Sequence, residues 1–182
     1  MSVAGERSID IVAYDPAWPR LFEAERASLA CVLAPWLDGG IHHVGSTAVP
    51  GLAAKPVIDM IAGVRDLEES REAFGPLAGL GYEYTPHRPR AHHFSKRDAG
   101  PDRAVTHGIH LTEVGTDLWR ERLAFRDALR ADSALAADYQ ATKLRLACRH
   151  RSDVGRYTVL KRPFVARVLA ARGIELPPVS PR

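Results

Sequence analysis

Val44-Gly45-Ser46-Thr47-Ala48-Val49-Pro50-Gly51-Leu52-Ala53-Ala54-Lys55-Pro56-Val57-Ile58-Asp59-Met60-Ile61 is the stretch from which the rest of the chain can be ordered. A short strand-like run over 41–44 ends in Gly45-Ser46-Thr47, which bends the backbone tightly and sets two hydroxyls beside main-chain N–H groups. A loop of small residues follows, closed by Lys55-Pro56, and then an apolar run over 57–64 whose only ionisable residue is Asp59. A carboxylate in a run that otherwise reads as a buried strand is costly unless it is paired or binds a cation. Two readings stay open. Asp59 is capped by neighbouring amides or paired with Lys55, or it is a metal-binding carboxylate facing a phosphate cradle made by the Gly-Ser-Thr turn.

Working outward, residues 9–14 suit a short strand or extended arm behind a frayed 1–8, and Asp15-Pro16 reads as a helix start. Leu21, Phe22, Leu29, Val32 and Leu33 recur at helical spacing, predicting a helix over 17–37 with Pro19 in its first turn and Asp38-Gly39-Gly40 as its stop. A short helical turn is expected within 47–54. Residues 66–80 read as one amphipathic helix and 82–84 as a strand. Residues 86–103, with three prolines and three histidines, read as a hairpin or mobile flap around His93-Phe94-Ser95. Residues 105–114 alternate as a strand, with His107, Ile109 and Leu111 on one face and Gly108, His110 and Thr112 on the other. Helices are expected from 117 to about 131 capped by Thr116 with Asp117, from a Ser133 cap onward, and over 153–172. A proline-rich tail closes the chain. These elements predict an α/β (α+β) fold: a small mixed β-sheet, an N-terminal helix and a helical half from about 115, all in one domain over 1–182 with a tail at 174–182.

The 182 residues are 46% apolar and 26% charged, a globular composition with room for a proper core. A net charge of +3 carries no nucleic-acid-binding tail, so no nucleic-acid partner is expected. Cys31 and Cys148 have no metal-ligand spacing and read as reduced thiols, which places the expectation in the cytoplasm. No signal-like or membrane-spanning apolar run occurs, so no membrane association is expected.

The Gly45-Ser46 turn followed thirteen residues later by Asp59 resembles the signature of the polymerase-beta-like nucleotidyltransferases. The whole string from Gly45 to Asp59 is similar to the GrpB family. That resemblance runs from about Ile11 to Val165 through Tyr14-Asp15-Pro16-Ala17-Trp18-Pro19, Leu123-Ala124-Phe125-Arg126-Asp127, Tyr157-Thr158, Lys161 and Phe164. It implies a sheet of nucleotidyltransferase type. It also implies a cleft in which Gly45, Ser46, Thr47, Lys55, Arg126, Lys143 and Lys161 contact a nucleotide or other phosphorylated small molecule beside Asp59 and His110. Family proteins joined to dephospho-coenzyme A kinases suggest a link to coenzyme A biosynthesis.

Nucleotidyl transfer needs phosphate oxygens held and charge neutralised as the leaving group departs. Superfamily enzymes use two carboxylates two residues apart; here the first is Asp59 and the second position is Ile61. A single Mg²⁺ or Mn²⁺ on Asp59 and water remains one reading. A transition metal on Asp59, His110 and His107 is another, requiring a bulge to bring the two histidines to one face. His110 as a strand histidine hydrogen-bonded to Asp59 is the third. His43 is expected behind the site and His42 on the surface. Lys55 either neutralises phosphate or pairs with Asp59. Arg126, Lys143 and Lys161 either line the cleft or lie on solvated helix faces. Two functions follow: a nucleotidyltransferase with one divalent metal, or an inactive nucleotide- or coenzyme A-related binding module that has lost the second carboxylate.

Overall fold

The computed structural model describes residues 9–176 apart from 87 and 89. The expectations for residues 1–8 and for the proline-rich segment 177–182 lie outside the described residues. Five strands form one mixed sheet: β1 (Leu37–Val44), β2 (Ile58–Val64), β3 (Tyr82–Tyr84), β4 (His92–Arg97) and β5 (Val105–Glu113), in the order β1-β2-β5-β4-β3. Only the central β2–β5 pair is parallel. The helices are α1 (Trp18–Leu33), α2 (Phe74–Gly79), α3 (Asp117–Ala131), α4 (Ser133–Arg149) and α5 (Val154–Ala170).

Strand β2 explains why both sheet faces are covered. Ile58, Met60, Ala62 and Val64 point to one side, where they pack with Leu29 and Leu33 of α1, Leu77 of α2 and Phe94, Ile109 and Leu111 of the neighbouring strands. Ile61 points to the other side and meets Val44, Ala91 and Leu118 of α3. A strand buried on both faces reads as a continuous apolar run, as this one does. Asp59 is its single exposed position.

Several boundaries differ from the sequence reading, each for a local reason. Helix α1 ends at Leu33, since Pro35 has no N–H with which to continue it. The chain then enters β1 four residues ahead of the expected start at 41. Gly39 is therefore a strand residue. A Cβ there would lie 2.9 Å from Trp119 Cη2, and one at Gly63 would lie 3.0 Å from the same atom. The two glycines thus form the slot into which α3 docks its tryptophan. Residues 66–80 split into a 3₁₀ segment, Glu69–Ala73, and α2, whose first turn holds Gly75-Pro76; proline is tolerated there but not in the interior of one longer helix.

Of the hairpin or mobile flap expected around His93-Phe94-Ser95, the structure has the hairpin, with β3 and β4 paired antiparallel. Residues 92–97 are β4, paired to both β5 and β3. Phe94 is buried in the core and His92 Nε2 hydrogen-bonds Leu67 O at 2.9 Å. Flanking prolines disguised the period-two alternation of His92, Phe94 and Lys96. The helical turn expected within 47–54 is a 3₁₀ segment that begins one residue earlier, at Ser46–Ala48. No described helix is long and apolar enough to cross a membrane.

Helix α4 is capped one residue earlier than expected: Asp132 Oδ1 accepts from Leu135 N at 2.9 Å, and Ser133 is the first helical residue. Asp132→Ala is therefore expected to lower stability by about 1 kcal/mol, and Ser133→Ala to stay within about 0.5 kcal/mol of wild type, by urea denaturation. The opposite ranking would return the cap to Ser133.

Candidate functional site

Residues that pair across the sheet share a face. Asp59 lies opposite Val44 on β1 and Gly108 on β5, and Ile61 lies opposite His110. On β4, His93 pairs with His110 and Ser95 with Gly108. The face turned toward α3, α4 and α5 thus carries Asp59, Gly108, His110, His93 and Ser95. His107 pairs with Ile58 and belongs to the opposite face, where its Nε2 lies 4.0 Å from Glu25 of α1. No bulge separates His107 from His110 along the β2–β5 ladder. A metal site combining His107 with Asp59 is therefore ruled out by the alternation of the strand.

Gly45 follows β1 directly, with φ 73° and ψ −171°, a conformation open essentially only to glycine. A Cβ at this position would lie 2.7 Å from Asp59 Oδ2 and 3.0 Å from Asp59 Cβ. The turn is thus closed down onto the carboxylate. Across the strand, a Cβ at Gly108 would lie 3.3 Å from Asp59 Oδ1 and 3.6 Å from His93 Nε2. The missing side chain lets an imidazole from β4 and the carboxylate from β2 border the same small space. His93 is oriented by Thr85, whose Oγ1 lies 2.7 Å from its Nδ1, and its ring packs 4.4 Å from that of His110.

The opposite wall is cationic. Asp59 is accessible, yet protein crowds it on enough sides that lost hydration pushes its carboxyl above the usual range. Arg122 of α3, Lys161 of α5 and Lys55 pull in the other direction, Arg122 most strongly. Arg122 Nε is buried without a hydrogen-bond partner among the described residues. Burial lowers the Lys161 amine to about 8 even though Asp59 favours its charged form, and its Nζ lies 4.2 Å from the centre of the Tyr157 ring. Tyr139 of α4 is buried beside Phe125 and Phe164, and burial raises its phenol above its ordinary value.

Other candidate residues prove to hold the loop in place. Thr47 is buried, donates to Val57 O at 2.9 Å and lies 3.0 Å from His43 Nε2, so its hydroxyl is already engaged inside the protein. Arg126 donates to His43 O at 3.1 Å, and Lys143, almost wholly buried, donates to Ala53 O. Arg130 and Gln140, which the sequence did not single out, complete the set through Ala48 O and Ala53 N. These helical side chains clamp the main chain over 43–53, so Thr47, Arg126 and Lys143 act as braces where the sequence suggested ligand contacts. His42 is half-buried rather than superficial, with Nε2 2.8 Å from Gly39 O and its ring edge-on to Trp119. A separate hollow of about 500 Å³, lined by Val49, Leu52, Leu129, Arg130 and Gln140, lies on the outer side of the same loop and does not include Asp59.

Sequence reasoning missed Arg122, Tyr139 and His93. Only the pairing of β4 with β5 and the packing of α3 and α4 on this side of the sheet bring them to the neighbourhood of Asp59. The face repeat of α3 could have flagged Arg122, one turn before Arg126. The donor set does not fit the two-ion chemistry of the fold. Ile61 occupies the second carboxylate position and is wholly buried, and the charges of Arg122, Lys161 and Lys55 all favour the ionised form of the one acid that remains. Among the described residues, no three His, Cys, Asp or Glu side chains gather as a metal cluster.

Comparison with known proteins places this arrangement. The UPF0157 protein PA4798 of Pseudomonas aeruginosa is 38% identical over 172 residues, covering 92% of this chain and 69% of its own length. The UPF0157 protein YqkA of Bacillus subtilis is 33% identical over 152 residues, 84% of this chain, and the chain spans only 43% of that relative. A dephospho-CoA kinase of Mycolicibacterium paratuberculosis is 31% identical over 186 residues, 86% of this chain and 44% of the kinase. The crystal structure of GrpB from Enterococcus faecalis superposes with a TM-score of 0.79 at 30% identity, over 90% of this chain and 99% of that one. Cid1 poly(U) polymerase, in a structure bound to MgATP, matches at TM-score 0.52 and 12% identity over 77% of this chain and 45% of its own, a likeness of fold and so of nucleotidyltransferase type. The GrpB protein family pattern matches residues 8–171, and the chain belongs to the GrpB family.

Proposed function

We propose that the cleft between the Gly45-Ser46 turn and helices α3 and α5 binds a nucleotide or another phosphorylated small molecule, with phosphoryl oxygens beside Asp59. One observation carries this reading: a lone carboxylate on a nucleotidyltransferase-type sheet, closed under a glycine turn and within the electrostatic reach of Arg122, Lys161 and Lys55. Cations gathered in a partly dehydrated hollow attract phosphate more strongly than they would in open water. The likeness to dephospho-CoA kinases makes coenzyme A and its precursors worth including among the ligands tried.

The test is thermal unfolding against nucleoside mono-, di- and triphosphates, coenzyme A and the corresponding unphosphorylated nucleosides. A true ligand at about a hundred times its dissociation constant adds about 2.7 kcal/mol to stability. That gain should shrink in Lys161→Met and be absent with unphosphorylated nucleosides. Equal stabilisation by phosphorylated and unphosphorylated compounds, or none by either, would end the proposal.

A second reading, nucleotidyl transfer with one divalent ion at Asp59, is supported by the fold shared with Cid1, a polymerase solved with MgATP. Radiolabel transfer from nucleoside triphosphates to small acceptors tests it. Activity present in wild type and lost in Asp59→Asn supports transfer, while no transfer with either Mg²⁺ or Mn²⁺ leaves binding as the function.

A further inference from the structure

Resting on the phosphate-binding reading above, we infer that this cleft takes a terminal phosphate dianion through Arg122 and Lys161 with no divalent cation between protein and ligand. Three observations meet here. Arg122 and Lys161, from two different helices, both act on Asp59, and Lys55 joins them from the loop. With all four groups ionised, three cations against one carboxylate leave two net positive charges in a partly dehydrated hollow. A phosphomonoester carries close to two negative charges at neutral pH. The match is to a terminal phosphate or a pyrophosphate rather than to a singly charged internal diester.

The second observation is the orphaned donor. Arg122 Nε is buried and makes no hydrogen bond among the described residues, an arrangement that leaves a donor waiting for an acceptor. A guanidinium offers its N–H groups in a planar fork that suits phosphate oxygens, and a lysine ammonium supplies a point charge beside it. The third is the donor set for metal. A divalent ion at Asp59 would have one carboxylate, with the completely buried Ile61 where a second would stand, and would meet repulsion from three cations. The guanidinium and ammonium thus occupy the electrostatic role that a metal ion fills when several carboxylates converge.

The two arrangements predict opposite signs for one substitution. Where a metal bridges protein and phosphate, removing the Asp59 charge weakens binding. Where side-chain cations bind phosphate directly, Asp59 repels the ligand and competes for those cations, so removing its charge strengthens binding.

Calorimetric titration of the full chain with inorganic pyrophosphate, in EDTA and again in excess Mg²⁺, tests this. Cyclic AMP serves as the internal diester. The expected results are binding in EDTA, weaker binding once Mg²⁺ sequesters the ligand, and several-fold tighter binding in Asp59→Asn. Arg122→Met should lose roughly ten- to a hundred-fold in affinity, the range of one charged hydrogen bond. Lys161→Met reads the same loss should the arginine variant not fold. Cyclic AMP should bind at least about ten-fold more weakly than pyrophosphate. Binding that requires Mg²⁺ and disappears in Asp59→Asn overturns the inference and leaves the phosphate-binding function standing. Failure of pyrophosphate and of every phosphorylated ligand in both buffers overturns both.

Discussion

Gly45→Ala is expected to destabilise the protein by about 4 kcal/mol and to abolish the proposed phosphate binding by the fraction that remains folded. Two independent costs add. The backbone at Gly45 has φ 73° and ψ −171°, where any side chain strains the chain by about 1–3 kcal/mol. The new methyl would also lie 2.7 Å from Asp59 Oδ2 and 3.0 Å from Asp59 Cβ, and overpacking of that kind costs about 1–3 kcal/mol more. Relief requires the carboxylate to rotate away or β1 and β2 to separate, and either movement takes Asp59 out of the cleft. Gly51→Ala separates the two costs. Gly51 also has a positive φ, 78°, but nothing lies within 4 Å of its virtual Cβ, so strain of about 1–2 kcal/mol should be its whole effect. A double mutant with Asp59→Ala provides the second control. Removing the oxygen 2.7 Å away should recover about 1 kcal/mol, whereas strict additivity would mean that Gly45 and Asp59 do not touch. Chemical denaturation gives the energies. Equal costs at Gly45 and Gly51 would show that the turn is not closed on the acid.

The sheet was readable where local pattern and tertiary environment agree. The run over 57–64 is apolar because β2 is covered on both faces, so its one charge marked the exposed position. The alternation over 105–114 placed His107 and His110 on opposite faces, and the ladder has them there. Reading failed where a residue's task is set by something distant in sequence. Gly39 looked like a helix stop because nothing local announces Trp119, eighty residues later, which needs the space its missing side chain leaves. Residues 86–103 left a hairpin and a mobile flap both open because prolines punctuate them, although the period-two pattern of a strand lies between. Arg126 and Lys143 were legible as cations near the cleft, but their acceptors are main-chain carbonyls at positions 43 and 53, which no side-chain pattern encodes. Arg122 was legible only as one turn before Arg126 on the same helix face, with nothing local to say what that face covers. A helix face becomes a binding wall only once it is known what it covers.

The loop over 45–54 is held from the inside by His43 and from the outside by α3 and α4. Arg126 and Arg130 bond main-chain oxygens at 43 and 48, and Gln140 and Lys143 bond both polar groups of residue 53. A turn this heavily clamped is preorganised, so little ordering remains to be done when a ligand arrives. That same clamping makes the turn sensitive to the charge on its inner support.

Lowering the pH from about 6.5 to about 4 is expected to remove about 3 kcal/mol of stability through His43 alone. Its imidazole is buried, stacks on Phe22 with ring centres 4.8 Å apart and holds Thr47 through Nε2. The Thr47 hydroxyl has a single proton and gives it to Val57 O, so Nε2–H is the donor in the His43–Thr47 contact and the folded state needs only the neutral ring. Burial first, then the charges of Arg130 and Arg126, lower the imidazole from 6.5 to about 4. The sign follows directly. Below 6.5 the unfolded chain takes up a proton that the folded protein refuses until about 4, so stability is complete above 6.5 and drains away as the pH falls through that window. His92 and His107 are lowered as well and add to the wild-type slope, whereas the raised Asp59 opposes it near the acid end. The measurement must therefore be a difference. His43→Gln keeps a neutral donor within reach of Thr47 but cannot titrate, so it should be less stable than wild type near pH 7.5, having lost the stacking on Phe22. Its stability should also fall less steeply on acidification, by about 3 kcal/mol across the window. Urea denaturation at several pH values reads both quantities. Parallel curves for the two proteins would mean that His43 takes up its proton as readily in the fold as in the unfolded chain, and that the support beneath the Gly45-Ser46 turn does not depend on a neutral ring.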